Sequence, residues 1–122
     1  MPSPEPINLA AAFATFTEHW SPRLAGRVND CAVKLAKFQG EFVWHHHEHE
    51  DEMFLVVSGE FVMRFRDRDV LVQAGEFLIV PRGVEHMPVA QREVYVLLFE
   101  PASTLNTGNT VSERTVEKLE SI

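Results

Sequence analysis

Four of the six histidines and four carboxylates fall within nine residues, Trp44-His45-His46-His47-Glu48-His49-Glu50-Asp51-Glu52. Imidazole and carboxylate together are the side chains that hold transition metals. On an extended chain alternate side chains share a face. His45 and His47 therefore point one way and His46 the other, and two imidazoles so placed can share one ion. Glu52 opens the next apolar run, where Glu52, Phe54 and Val56 should share a face. If the two segments pair as neighbours, its carboxylate reaches the same point. His86 stands far along the chain, just after Pro81-Arg82-Gly83, a turn able to bring the following strand across a barrel. Three imidazoles and one carboxylate suit Zn, Fe, Mn, Ni or Cu. They do not suit Ca or Mg, which prefer oxygen. A helical zinc-protease motif is excluded, because Asp51 stands where the second His would follow His47-Glu48. A disordered His-rich chelator has this composition, but the apolar runs on either side favour strands. His46 and His49 are expected at the surface or behind the ligands.

The elements that must position these residues are short strands. From about residue 26 to residue 100, apolar runs alternate with turn signals, which predicts a β-sandwich or barrel rather than βαβ units. The predicted strands are roughly 28–38, 41–47, 52–58, 60–66, 69–73, 77–81, 85–90 and 94–100. Phe61, Met63 and Phe65 alternate with Val62, Arg64 and Arg66, the period of a half-buried strand. Val94, Val96 and Leu98 form a second inward face. Before the barrel, residues 1–6 carry three prolines and read as an irregular arm. Leu9, Phe13, Phe16 and Trp20 then recur at helical spacing, so a helical arm is expected over about 8–21, capped by Asn8 and stopped by Pro22. After Pro101 the chain becomes polar, and a tail over about 101–122 is expected to close with a short helix from Ser112.

Composition bounds the rest. The 122 residues fit a single domain, and 45% apolar content with nine Phe and two Trp gives a core that needs no staples. A net charge of −7 argues against a nucleic-acid partner, and the run Arg64, Arg66, Arg68 is interrupted by Asp67 and Asp69. The single cysteine, Cys31, can form no intramolecular disulfide and reads as a packed small residue. No apolar run is long enough to span a bilayer. The first residues show neither a basic nor an apolar leader segment, so a cytoplasmic protein with no membrane partner is expected.

The spacing of these residues resembles the two motifs of the cupin superfamily. The first reads Gly40, His45, His47, Glu52, Gly59, and the second Gly75, Pro81, Gly83, His86. Two departures stand out. Gly40 sits one residue nearer His45 than the pattern has it, and Ala90 takes the place of the second motif's Asn. Neither touches a ligand position. Trp44-His45, Asp51-Glu52, Pro81 to His86 and Leu105-Asn106-Thr107-Gly108 are similar to small single-domain cupins described as mannose-6-phosphate isomerase-like. The resemblance implies an all-β double-stranded β-helix, or jelly roll, with His45, His47, Glu52 and His86 as ligands of one divalent transition metal at a barrel mouth. It also implies a homodimer.

Four protein ligands on an ion that accepts five or six leave room for water or substrate. A metal-dependent enzyme on a small organic substrate, of isomerase or dioxygenase type, is therefore expected ahead of a non-catalytic module binding a small molecule or metal. A metal that only stabilises the barrel is the third reading. No catalytic base declares itself; His49, Glu85 and Tyr95 are candidates. The inward residues Val43, Phe54, Val56 and Met63 predict a largely apolar pocket. That disfavours a sugar phosphate, for which only Arg82 offers a charge.

Overall fold

The computed structural model describes residues 4–122. Residues 1–3 of the proline-bearing arm lie outside the described residues, and residues 4–8 form no regular element. Helix α1 (Leu9–Phe13) follows, then strands β1 (Arg23–Val28), β2 (Cys31–Glu41), β3 (Glu52–Ser58), β4 (Glu60–Phe65), β5 (Asp69–Gln73), β6 (Phe77–Val80), β7 (His86–Pro101) and β8 (Glu120–Ser121). The strands make one curled sheet in the order β5-β4-β7-β2-β1-β8, with β3 paired to both β7 and β6. No helix among the described residues is long and apolar enough to cross a membrane.

Strand β7 is the hub. Its first residues pair with β4, from Phe65↔His86 to Val62↔Val89. Its last residues pair with β3, from Val56↔Val96 to Met53↔Phe99. All the while β2 runs antiparallel along its other edge, from Glu41↔Val89 to Cys31↔Pro101. The register shifts at Phe38/Gly40, opposite Gln91–Glu93, and this irregularity lets one strand serve both halves of the barrel. The two predicted strands 85–90 and 94–100 are thus one. The predicted strand 28–38 lies mostly in β2; its first residues form the hairpin turn from β1, at Asn29, whose φ is 52°. Asn tolerates that left-handed conformation better than most residues. Only Glu41 of the predicted strand 41–47 is in a strand, with one isolated bridge at His45↔His86.

Alternation holds where it was expected. Phe54 and Val56 on β3, Phe61 and Met63 on β4, and Val94, Val96 and Leu98 on β7 all face the interior. There the rings of Phe38, Phe54 and Phe61 meet at 5.5–6.5 Å between centroids. Each such ring contributes about 2 kcal/mol by leaving water.

The helical arm is shorter than predicted. Asn8 does cap α1, its Oδ1 accepting from Ala11 N at 2.9 Å. The helix stops at Phe13, however, and Thr15 Oγ1 turns back onto Ala12 O, the local bonding by which Thr competes with helix. Phe13 and Phe16 pack on Leu35, with the Phe13 ring stacked on Tyr95 at 4.5 Å. Trp20 belongs elsewhere: its backbone N–H donates to Lys37 O, and its ring stacks on Phe38 and Phe42 inside the barrel. The predicted C-terminal helix is absent. The Asn106 amide donates to Arg114 O and accepts from Val116 N, taking up backbone groups a helix would have paired. Glu120 and Ser121 then add to β1 as a short parallel strand.

Candidate metal centre

The structure brings His45, His47, Glu52 and His86 together. One donor atom from each lies within 4.8 Å of the others, and all four side chains are buried. Donors opposite one another on an ion with bonds of ~2.1 Å are separated by about 4.2 Å, so the cluster has the scale of one coordination sphere. Backbone pairing sets part of it: His45 N donates to His86 O, and His86 N to His45 O. His45 Nδ1 lies 2.9 Å from Val43 O, and His86 Nδ1 lies 2.8 Å from Val84 O. A carbonyl only accepts, so both Nδ1 atoms carry hydrogen, and the neutral ring in that tautomer offers its lone pair at Nε2. Glu52, at the start of β3, reaches His47 Nε2 at 3.1 Å and His86 Nε2 at 3.5 Å. His47 Nε2, Glu52 Oε1 and His86 Nε2 are buried without a hydrogen-bond partner. Three unsatisfied polar atoms converging on one point are costly without a further group between them.

Two clamps hold the ligand segment. On one side, the Pro81–Gly83 turn donates Gly83 N to His47 O, and Asp51 accepts from Arg82 N at 2.9 Å. The Arg82 guanidinium beside Asp51 also lowers that carboxyl's pKa. On the other side, the tail grips His46, whose N–H donates to Asn109 Oδ1 while its carbonyl accepts from Asn109 N. Thr110 Oγ1 adds a bond to Trp44 O. Gly108 passes so close that a Cβ there would collide with the His46 carbonyl.

Burial, aided by the neighbouring His86, lowers the His45 pKa from 6.5 to about 4. The imidazole therefore stays neutral, the form that binds metal. The metal-free protein should then lose stability as pH falls from 6.5 towards 4. There the unfolded chain binds a proton that folded His45 refuses. The shift corresponds to about 3 kcal/mol. Urea titrations across that range should show the loss, and a His45→Gln variant should show a shallower slope.

One pair escaped the sequence reading. Lys34 and Glu100 are both buried, with Lys34 Nζ donating to Glu100 Oε2 at 3.0 Å and to Thr104 O at 3.1 Å. Glu100 continues the inward face Val94, Val96, Leu98, and Lys34 sits between Ala32 and Ala36 in the same register. That alternation was the available signal. Burial first, and then the charge of Glu52, push the Glu100 carboxyl well above the ordinary range, with Lys34 pulling the other way. Burial would also raise Glu52, but the close approach of His47, His86 and Glu100 outweighs it and holds it well below.

A cavity of about 140 Å³ adjoins the cluster. It is lined by His45 and Glu52, by Lys34 and Glu100, and by aromatic walls from Trp20, Phe38, Phe42 and Phe54. Leu105, Asn106, Val116 and Leu119 of the tail complete it. Of the residues expected to line an apolar pocket, Phe54 does so. Val56 and Met63 are packed in the core, and Val43 lends its carbonyl to His45. The base candidates lie away from it: His49 is exposed, Glu85 pairs with Arg66 at the surface, and Tyr95 stacks on Phe13 outside the barrel. Arg82 is exposed and paired with Asp51. His46 is half-buried, and Ala90, at the motif's Asn position, is a core residue.

The family model Cupin_2, a cupin domain, matches residues 33–99, more than half of the chain. The chain belongs to the cupin domain family. This cupin is 45% identical over 80 residues to YdbB of Bacillus subtilis (strain 168), an uncharacterised protein, covering 65% of this chain and 71% of that one. Among solved structures, a cupin-2 domain containing protein from Shewanella frigidimarina NCIMB 400 superposes with a TM-score of 0.77 at 45% identity, over 78% of this chain and 93% of that one. Protein NMB1881 from Neisseria meningitidis does so with a TM-score of 0.74 at 29% identity, over 80% of this cupin and 100% of its own chain. KdgF from Halomonas sp., at 23% identity and a TM-score of 0.58 over 66% of this chain and 78% of that one, shares the fold.

Proposed function

We propose that His45, His47, Glu52 and His86 hold one divalent transition-metal ion, and that the protein is a metal-dependent cupin enzyme acting on a small organic substrate. The observation that carries this is the convergence of three buried, partnerless atoms, His47 Nε2, Glu52 Oε1 and His86 Nε2. The neutral tautomers fixed by Val43 O and Val84 O supply lone pairs to the same point. When bound, such an ion polarises a carbonyl or hydroxyl or, if it is iron, activates dioxygen. The chain's own part is to shape the adjoining cavity, hold its aromatic walls and exclude bulk water. Metal analysis of the purified protein, then assays of the loaded form for oxygen consumption and for isomerisation of small carbonyl compounds, tests the proposal. A protein that takes up no stoichiometric ion overturns it.

A non-catalytic binding module is the second reading. It is favoured by the placing of His49, Glu85 and Tyr95 outside the cavity, which leaves Glu100 as its one acid beside Glu52 and the tail's Glu117. Tight ligand binding with no turnover over a substrate panel would select it.

A homodimer is part of the same proposal. Phe77 and Ile79 on β6 are 61% and 53% exposed. In register they flank Leu55 and Met53 of β3, and these flank Leu97 and Phe99 of β7. An apolar strip of this kind on an outer sheet face favours a second copy. Light scattering should give twice the chain mass, and Phe77→Lys should halve it. The lone Cys31, with no partner for an intramolecular disulfide, fits a reducing compartment. The cytoplasm completes the proposal.

A further inference from the structure

We propose that the cavity beside the cluster binds a small organic carboxylate, anchored by the Lys34 ammonium and limited in size by the C-terminal tail; this rests on the metal reading above. Lys34 is 4% exposed, and lysine is among the residues least often buried. Holding the barrel together does not require it, since an apolar side chain of similar volume commonly serves as well or better than a buried ion pair. Its ammonium carries three donors. Two go to Glu100 Oε2 and Thr104 O, and the third is left for an occupant of the cavity that Lys34 lines.

Charge selects an anion. With a divalent ion on the four ligands, Glu52 contributes one negative charge and Lys34 one positive charge. With the exposed Glu117 of the tail wall counted as well, the balance is positive when Glu100 carries a proton and zero when it does not. A carboxylate answers both the ammonium and this excess, whereas a neutral amide of the same shape answers neither.

Size selects a small anion. A dry protein cavity of ~150 Å³ takes benzene, and this one measures about 140 Å³. An occupant of roughly six non-hydrogen atoms fits, and a hexose phosphate is more than twice as large as that benzene-sized space. The limit on one side is Leu105, Val116 and Leu119 of the tail, opposite the fixed rings of the barrel.

The test uses the full-length zinc-loaded protein, with calorimetric titration of lactate, its neutral isostere lactamide, and 2-hydroxyhexanoate, three carbons longer than lactate. Lactate should bind about tenfold or more tightly than lactamide, the range for a hydrogen bond to a charged group. Lys34→Met should weaken lactate by a similar factor while zinc content and circular dichroism stay those of the parent. Leu119→Ala, which removes three carbons from the wall, should raise the affinity for 2-hydroxyhexanoate and leave lactate nearly unchanged. This variant reads the site even if Lys34→Met fails to fold. Equal binding of lactate and lactamide overturns the proposal, as does a folded Lys34→Met protein that keeps lactate affinity. Zinc content separates the two readings. Zinc bound without discrimination between the probes sinks the carboxylate site alone. Protein that takes up no zinc sinks the metal reading and the charge balance built on it.

Discussion

His86→Ala protein is expected to bind zinc at least about 100-fold more weakly than the parent. Four-ligand zinc sites bind with roughly 10–16 kcal/mol. One ligand's share is therefore about 3 kcal/mol, or about 100-fold in affinity. The variant should still fold. The backbone bonds between residues 45 and 86 do not involve the imidazole. The lost side chain, fully buried, also removes an unsatisfied nitrogen. His47→Ala should behave alike. His46→Ala, one residue away but half-buried on the opposite side, should keep parental zinc. Competition against a chelating dye gives the affinities. Folded His86→Ala and His47→Ala proteins with full metal content would remove the central claim.

Gly108→Val is expected to cost about 3 kcal/mol or more of stability. Gly108 has a φ of 56°, and an added Cβ meets the His46 carbonyl and comes within 3.2 Å of His45 Cδ2. The left-handed backbone alone costs a side-chain-bearing residue about 1–2 kcal/mol. The neighbour is backbone, fixed by Asn109, so the clash cannot be relieved by turning a rotamer. Relief requires that the tail lift, forfeiting the Asn109 and Thr110 bonds. Urea unfolding measures the cost. Iodide quenching of Trp20, a cavity wall, should rise with it. A Gly108→Val protein as stable as the parent would show that the tail is not seated as described.

Much of the site was legible because it obeys strand alternation. His45 and His47 share a side although only His45 makes a sheet contact, since alternation needs an extended chain and not a ladder. Glu52 followed from the inward face of Phe54 and Val56. His86 needed the second motif, because nothing local relates it to residues 45–52. Helical spacing misled over residues 8–21. It correctly marked Phe13, Phe16 and Trp20 as buried, but it cannot say in which core. Trp20 left for the barrel once its backbone found Lys37. The tail misled for a related reason: one amide, Asn106, took the bonds that a helix from Ser112 would have made. Lys34 and Glu100 belong to no motif and are far apart in the chain, and only the contact between them shows why they are inside.

The cavity has two origins within one chain. All four clustered residues and Lys34 fall inside the stretch that matches the cupin family, residues 33–99. Trp20 and the tail wall of Leu105, Asn106, Val116 and Leu119 fall outside it. What the pocket admits is therefore separable from what the cluster holds. Exchanging the last twenty or so residues, with Gly108 and Asn109 kept as the fastening, re-cuts the chamber and leaves the coordinating frame as it is.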